Sequence, residues 1–391
     1  MLSIDVKQWG GNLLFALLLF TFAADPTNTV FHLKDAMFVL LMAYNIVFFQ
    51  ADWRRLVYFF IGLVAITVPL LLAVARGEII DEEFVVGLYK SLAPLCLLPW
   101  IHCYDVVRLA RWPVFITGLI VVVLFWIIII VPETETAIYM YMKTTNETIM
   151  MANRYFLGFK FFCMYHKSTA CFLFVFAVAF YQCITKGKRT LPALLVFVVL
   201  FNTFLVSGTR MTILFPFLVM GVILFHFYHR KRYYNYVLYP LLVLAGLLFV
   251  FLVIKLMADT SEPSNIVKYA HLTSYKKLFD ECPSYLLWGQ GPGTRFYSEG
   301  FHRMSLQTEW TYVELVRYMG VFALLVLALF LWPICQLWKY SRQDELCWVL
   351  GSAYVVYLII AGTNPLLLSS TGMFALLLIY SFLARIEDKR P

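Results

Sequence analysis

The stretch VFITGLIVVVLFWIIIIV, residues 114–131, contains no charged residue and no alternation of apolar and polar positions. Eighteen residues wound as an α-helix rise ~27 Å, close to the ~30 Å of hydrocarbon in a bilayer. A barrel strand would alternate lipid-facing and lumen-facing residues. The stretch therefore predicts a membrane-crossing helix.

Working outward, the rest of the chain has the same character. Of its 391 residues 62% are hydrophobic and only 14% charged, and mean hydropathy is +0.79. A soluble domain carries about 25% charged residues. Windows long enough to cross lie near 9–24, 33–50, 55–75, 84–102, 112–132, 167–185, 190–206, 211–228, 236–257, 309–333, 346–362 and 365–384. The expected fold class is an all-α polytopic membrane protein with about 12 transmembrane helices, a single membrane domain over 1–391. The first window ends in TFAAD like a signal peptide, but Asp5 stands beside the single leading lysine, Lys7. It reads as an uncleaved first span.

Charge orients the chain. If alternate connections starting with the N-terminus face the cytoplasm, they hold roughly half of the 31 Lys and Arg residues, including Arg54-Arg55, Arg108, Arg111, Arg230-Lys231-Arg232, Lys339, Arg342 and Arg385. The short outer turns carry only Lys34, Arg76 and Arg210. Both termini are thus expected to be cytoplasmic. The net charge of +8 follows from these topology signals, and no concentrated basic face calls for nucleic acid.

Two outer loops remain, 133–166 and 258–308. In the larger, SNIVKYAHLTSYKKLFDECP (264–283) reads as an amphipathic helix with Ile266, Tyr269, Leu272 and Tyr275 on one face, stopped by Pro283. LLWGQGPGTRF (286–296) follows, a permissive glycine turn whose backbone N–H groups can point at a ligand. Then come His302, Arg303, Glu309, Glu314 and Arg317, leading into the tenth window. Glu314 and Arg317 at i,i+3 read as a pair within one helix. The eight cysteines form no CxxC, and only Cys163 and Cys282 fall outside. The seven histidines are scattered, and no metal site is expected. Six-plus-six repetition is not visible, which counts against a secondary transporter.

Several features resemble the O-antigen polymerase and O-antigen ligase superfamily of bacterial envelope glycosyltransferases. They are the small-residue turn SGTR at 207–210, opening a span with Gly221 eleven residues after Arg210; SYLLWGQGPG at 284–293 after an amphipathic outer helix; and TYVELVRYMGVFALLVL at 311–327. Relatives that act as ligases carry His-Asn eleven and ten residues before the glycine corresponding to Gly320. Here those positions are Glu309 and Trp310, which favours a polymerase.

The resemblance implies a metal-independent transferase, without cofactor, that moves a glycan from a polyprenyl diphosphate to the hydroxyl of another lipid-linked repeat unit at the outer face of the inner membrane. Fixed guanidinium forks suit a diphosphate leaving group. On that reading Arg210 and Arg295 hold the diphosphate, joined by Lys90 or Arg303, and Glu309 or His302 is the general base. Arg154 and Tyr155 line a sugar site. Lys90 has a second reading, as the neutraliser of Asp35, and Arg210 a second one as an interface anchor. A flippase and a chain-length regulator are the implied partners. The alternatives are a ligase acting on a lipid A core and a transporter or flippase of lipid-linked sugars.

Overall fold

A run of apolar side chains in lipid leaves the backbone no water to bond, so it closes into helix. The computed structural model describes residues 6–145, 148–156, 159–185, 190–228 and 263–388, with isolated positions between 236 and 255. Of the side chains in these ranges, those of Arg154, Tyr155 and Arg210 lie outside the described residues. The expected ninth span, 236–257, also lies largely outside them.

The α-helices are α1 (Val6–Ala24), α2 (Lys34–Phe48), α3 (Val57–Ala75), α4 (Glu82–Leu92), α5 (Val106–Leu109), α6 (Arg111–Ile130), α7 (Thr134–Thr145), α8 (Phe172–Ile184), α9 (Thr190–Val206), α10 (Arg210–Tyr228), α11 (Pro263–Glu281), α12 (Tyr285–Trp288), α13 (Thr311–Met319), α14 (Ala323–Tyr340), α15 (Leu346–Gly362) and α16 (Ser370–Asp388). Seven helical segments among the described residues are long and apolar enough to cross a membrane. They are Val6–Ala24, Trp53–Ala75, Glu82–Cys103, Val106–Ile130, Met211–Tyr228, Thr311–Tyr340 and Ser370–Asp388. Thr169–Ile184, Thr190–Val206 and Leu346–Gly362 are shorter apolar helices. The coarse expectation, a helical membrane protein, is met.

Local sequence explains the breaks. Asp81 caps α4 by accepting from the Phe84 amide at 3.1 Å, and Glu82 and Glu83 fill the first turn where the helix dipole favours acids. The same span then tightens to 3-10 geometry over Ala93–Cys103, which contains Pro94 and Pro99. Each proline removes an amide donor from the α-helical ladder.

Two departures from an all-α chain occur among the described residues, within the segments 133–166 and 258–308. Residues 149–166 form the antiparallel hairpin β1 (Ile149–Phe156) and β2 (Phe159–His166), with Ile149 opposite His166. Aromatic residues and methionines, which suit a pleated surface, fill both strands. A smaller hairpin, β3 (Phe296–Ser298) with β4 (Arg303–Ser305), pairs Ser298 with Arg303.

Polar contacts sort to two ends of the bundle. At one end, Lys34 Nζ donates to Ser370 Oγ at 2.9 Å, Ser168 Oγ donates to the Phe22 carbonyl, and Thr311 Oγ1 donates to the Asn364 carbonyl. At the other, Gln8 donates to the Cys103 carbonyl, Arg55 meets Glu387, Arg385 meets Asp105, and Tyr181 donates to Glu345. Successive helices therefore run antiparallel. The core is centred on α16, which is 89% buried, against 28–56% for the other six spans.

Candidate functional site

The first end carries a cap built from α11, α12, the β3–β4 hairpin and the start of α13. Pro263 opens α11, where its missing amide costs nothing, and Pro283 follows the last turn. The apolar stripe of α11 does not pack as one surface. His271, Ser274 and Tyr275 are buried, whereas Ile266, Tyr269 and Leu272 are exposed. The buried face is polar because it meets the hairpin's backbone and hydroxyls. His271 Nδ1 bonds Ser298 Oγ at 2.9 Å, and the Glu299 amide donates to Ser274 Oγ at 2.8 Å. The outward apolar face is the kind that lies on a membrane interface.

Beneath the cap lies a closed polar network. Glu314 and Arg317 are both buried, with Arg317 Nε donating to Glu314 Oε2 at 2.7 Å. Arg317 also donates to Gln290 Oε1 at 2.8 Å, to the Thr294 carbonyl at 3.2 Å and to the Leu306 carbonyl. Its guanidinium sits between the rings of Phe296 and Tyr318, 4.4 and 4.3 Å from their centroids. Glu314 Oε1 accepts from Tyr275 Oη at 2.6 Å and from the Thr308 amide at 2.7 Å. Burial, and then the Glu314 charge, hold the Tyr275 phenol neutral by raising its pKa.

The glycine segment is a packing joint and not an open cradle. The Gly289 amide donates to the Tyr285 carbonyl and the Gln290 amide to the Arg317 carbonyl at 2.6 Å. A Cβ on Gly289 would lie 2.3 Å from the Tyr318 carbonyl oxygen, and one on Gly320 2.3 Å from that of Leu287. Both glycines have positive φ. The two chain segments cross in backbone contact, and the amides of 289 and 290 are taken up within the joint.

The joint is pinned to the turn between α3 and α4. Arg76 donates to the carbonyls of Gly289 and Gln290 at 2.6 and 2.9 Å. Tyr285 Oη donates to Glu78 at 2.6 Å, and the Asp81 amide donates to the Gly293 carbonyl at 2.9 Å. Arg295 completes the set, donating to Asp81 Oδ2 at 2.8 Å. That bond holds the Asp81 carboxyl below the usual carboxylate range, with the Phe84 amide adding to it.

The expected site residues fall as follows. Arg295, His302 and Arg303 are exposed on the cap, and Glu309 is partly exposed. His302 occupies the β3–β4 turn with φ of 50°, and the Arg303 guanidinium lies 5.7 Å from the Phe301 ring centre. Glu309 bonds Lys268 at 3.0 Å. These four share one cap, and two of them already meet a charged partner. Lys90 lies in the last turn of α4, about 12 Å along the helix from Glu82. It is 66% exposed and pairs with Asp35 at 3.7 Å. The neutralising role is the one the geometry displays.

Arg210 opens α10 behind an Ser207-Gly208-Thr209 turn in which Thr209 Oγ1 accepts from the Thr212 amide. Gly208 packs against Cys163 of β2, so that turn and the 133–166 loop meet. Arg154 and Tyr155 occupy β1 opposite Phe161 and Lys160. Cys163 and Cys282 are both free thiols.

Sequence reasoning passed over Arg76, Glu78 and Asp81. The available signal was Arg76 itself, the single cation of a short turn that also carries the acids Glu78 and Asp81. Among the described residues no group of three or more His, Cys, Asp or Glu is placed to hold a metal ion. Comparison with protein-family models, with curated proteins and with solved structures finds no match to this chain.

Proposed function

We propose that this chain is a polymerase of a bacterial envelope polysaccharide, resident in the inner membrane with both termini cytoplasmic. It would join lipid-linked repeat units at the outer face. The observation that supports the reading is the cap: a locked frame at one end of the bundle on whose surface Arg295, His302, Arg303 and Glu309 all lie. The opposite end holds Arg55, Arg108, Arg111, Arg342 and Arg385, which suits the positive-inside rule with the cap outside.

In the proposed reaction the acceptor hydroxyl oxygen bonds the donor's anomeric carbon. The bond from that carbon to the diphosphate oxygen breaks, and its electron pair leaves with polyprenyl diphosphate. The hydroxyl proton passes to the Glu309 carboxylate, with His302 of the β3–β4 turn as the alternative base. Arg303 and the N–H groups of Arg295 that do not face Asp81 meet the growing phosphate charge, with Arg210 supplying a further cation. Arg154 and Tyr155 would line the sugar site. A flippase supplies the donor and a chain-length regulator ends the polymer.

The test is elongation of purified lipid-linked repeat units by the full chain in detergent. Arg303→Ala and Arg295→Ala are each expected to slow elongation by about 10²–10³-fold, whereas Arg342→Ala at the opposite end leaves it within about twofold. Elongation that survives in both cap variants overturns the assigned roles. Transfer that occurs only when a lipid A core is added would make the chain a ligase, and loss of all transfer outside a vesicle would favour a transporter.

A further inference from the structure

The end of the bundle remote from the cap contains a cavity of about 230 Å³ between α5, α6, α8 and α16. Its mouth is lined by Arg108, Arg111 and Arg385. Two acids line it as well, Asp105 and Asp344, and both have structural tasks. Asp105 caps α5 by accepting from the Arg108 amide at 3.1 Å and also bonds the Arg385 guanidinium. Asp344 accepts from the Leu346 amide at 2.8 Å at the start of α15. Three guanidiniums against two carboxylates leave the lining with one net positive charge. A second cavity of about 410 Å³ adjoins the first and shares Asp105, Arg108 and Arg385 with it.

The inner wall has the opposite chemistry. Val175, Val178, Ala179 and Phe382 line it, and Val175 stands nine residues before the end of α8, a depth of about 13 Å. An inorganic anion would use only the mouth. A molecule with a charged head and an apolar stem would use both parts. The volume accommodates a phosphate and the first methylenes of a chain.

We propose that this cavity binds the phosphate of an anionic phospholipid headgroup, with Arg108 and Arg111 as its ligands and the Val175–Val178–Phe382 wall against the start of an acyl chain. Arg–phosphate pairs are charge-assisted and two-pronged, and a basic pocket between spans at a membrane surface is a setting in which lipid heads are held. The site is separate from the cap, and its test reads binding, not transfer.

The test titrates the full chain in detergent with phosphatidylglycerol and follows bound lipid by native mass spectrometry and by the shift in melting temperature. Phosphatidylcholine of the same chain length and inorganic phosphate are the comparison arms. Phosphatidylglycerol is expected to bind at least ~10-fold more tightly than phosphatidylcholine, and inorganic phosphate to raise the melting temperature little. Arg108→Gln and Arg111→Gln should each weaken phosphatidylglycerol by about tenfold, the size expected for one charged hydrogen bond. Arg342→Gln, exposed at the same end but outside the cavity, should change nothing. Ala179→Phe, which fills the inner wall, should weaken the lipid without altering the arginines. Equal affinity for phosphatidylcholine, full stabilisation by inorganic phosphate, or unchanged binding in both arginine variants would overturn the assignment.

Discussion

Arg317 has no exposed surface, and a guanidinium so placed must find an acceptor for each N–H it turns inward. It does so with four different residues, and two aromatic faces close the remaining sides. Removing it strands the buried Glu314 carboxylate. Arg317→Ala is therefore expected to cost about 3–5 kcal/mol, read from chemical unfolding in detergent. Arg317→Lys should recover little, because an ammonium cannot reproduce the planar fork. The spacing of Glu314 and Arg317 was legible as a pair within one helix. Its depth was not, because burial depends on the distant Gln290, Thr294 and Leu306, which local periodicity does not place.

At the scale of elements, the order of cap segments could be read directly: helix, glycine turn, return to the bundle. Of the apolar stripe read on α11, Tyr275 is buried and Ile266, Tyr269 and Leu272 are exposed, because the period marks apolar residues without saying whether hairpin or lipid meets them. The crossing of Gly289 and Gly320 decides how closely α12 approaches the α13–α14 junction. Gly289→Ala places a methyl against the Tyr318 carbonyl and requires positive φ of an alanine. The expected result is a loosened cap, seen as faster proteolysis between residues 263 and 311, while Gly87→Ala on open α4 surface leaves cleavage unchanged. The hairpins escaped a reading tuned to twenty-residue windows, since strands of eight and of three residues contribute little to such an average.

For the whole molecule, the helical class was fixed by composition and the two-ended distribution of charge by alternation of the connections. The residues that join the elements were less visible, and His166 is one of them. It ends β2, is buried against Phe172, and accepts from the Ser168 amide. Burial lowers its pKa from 6.5 to about 4 despite a hydrogen bond with the Ala24 backbone. The unfolded chain takes up this proton near 6.5 and the folded chain only near 4. The stability that neutral His166 contributes is thus complete above about 6.5 and is lost as pH falls towards 4. The gap corresponds to roughly 3 kcal/mol. Unfolding midpoints measured from pH 7 to pH 4 should fall for the parent chain and fall less for His166→Asn.

The deep burial of α16 has a consequence for biogenesis. Translation is vectorial, so every other described helix leaves the ribosome before Ser370–Asp388 does. The earlier helices must wait in the bilayer around a vacant slot, with the carbonyls of Tyr104 and Leu329 still lacking the neighbour whose Ser381 and Tyr380 they will accept from. Lipid or a chaperone has to occupy that slot meanwhile, and maturation of the bundle is gated by the arrival of its innermost strand of chain.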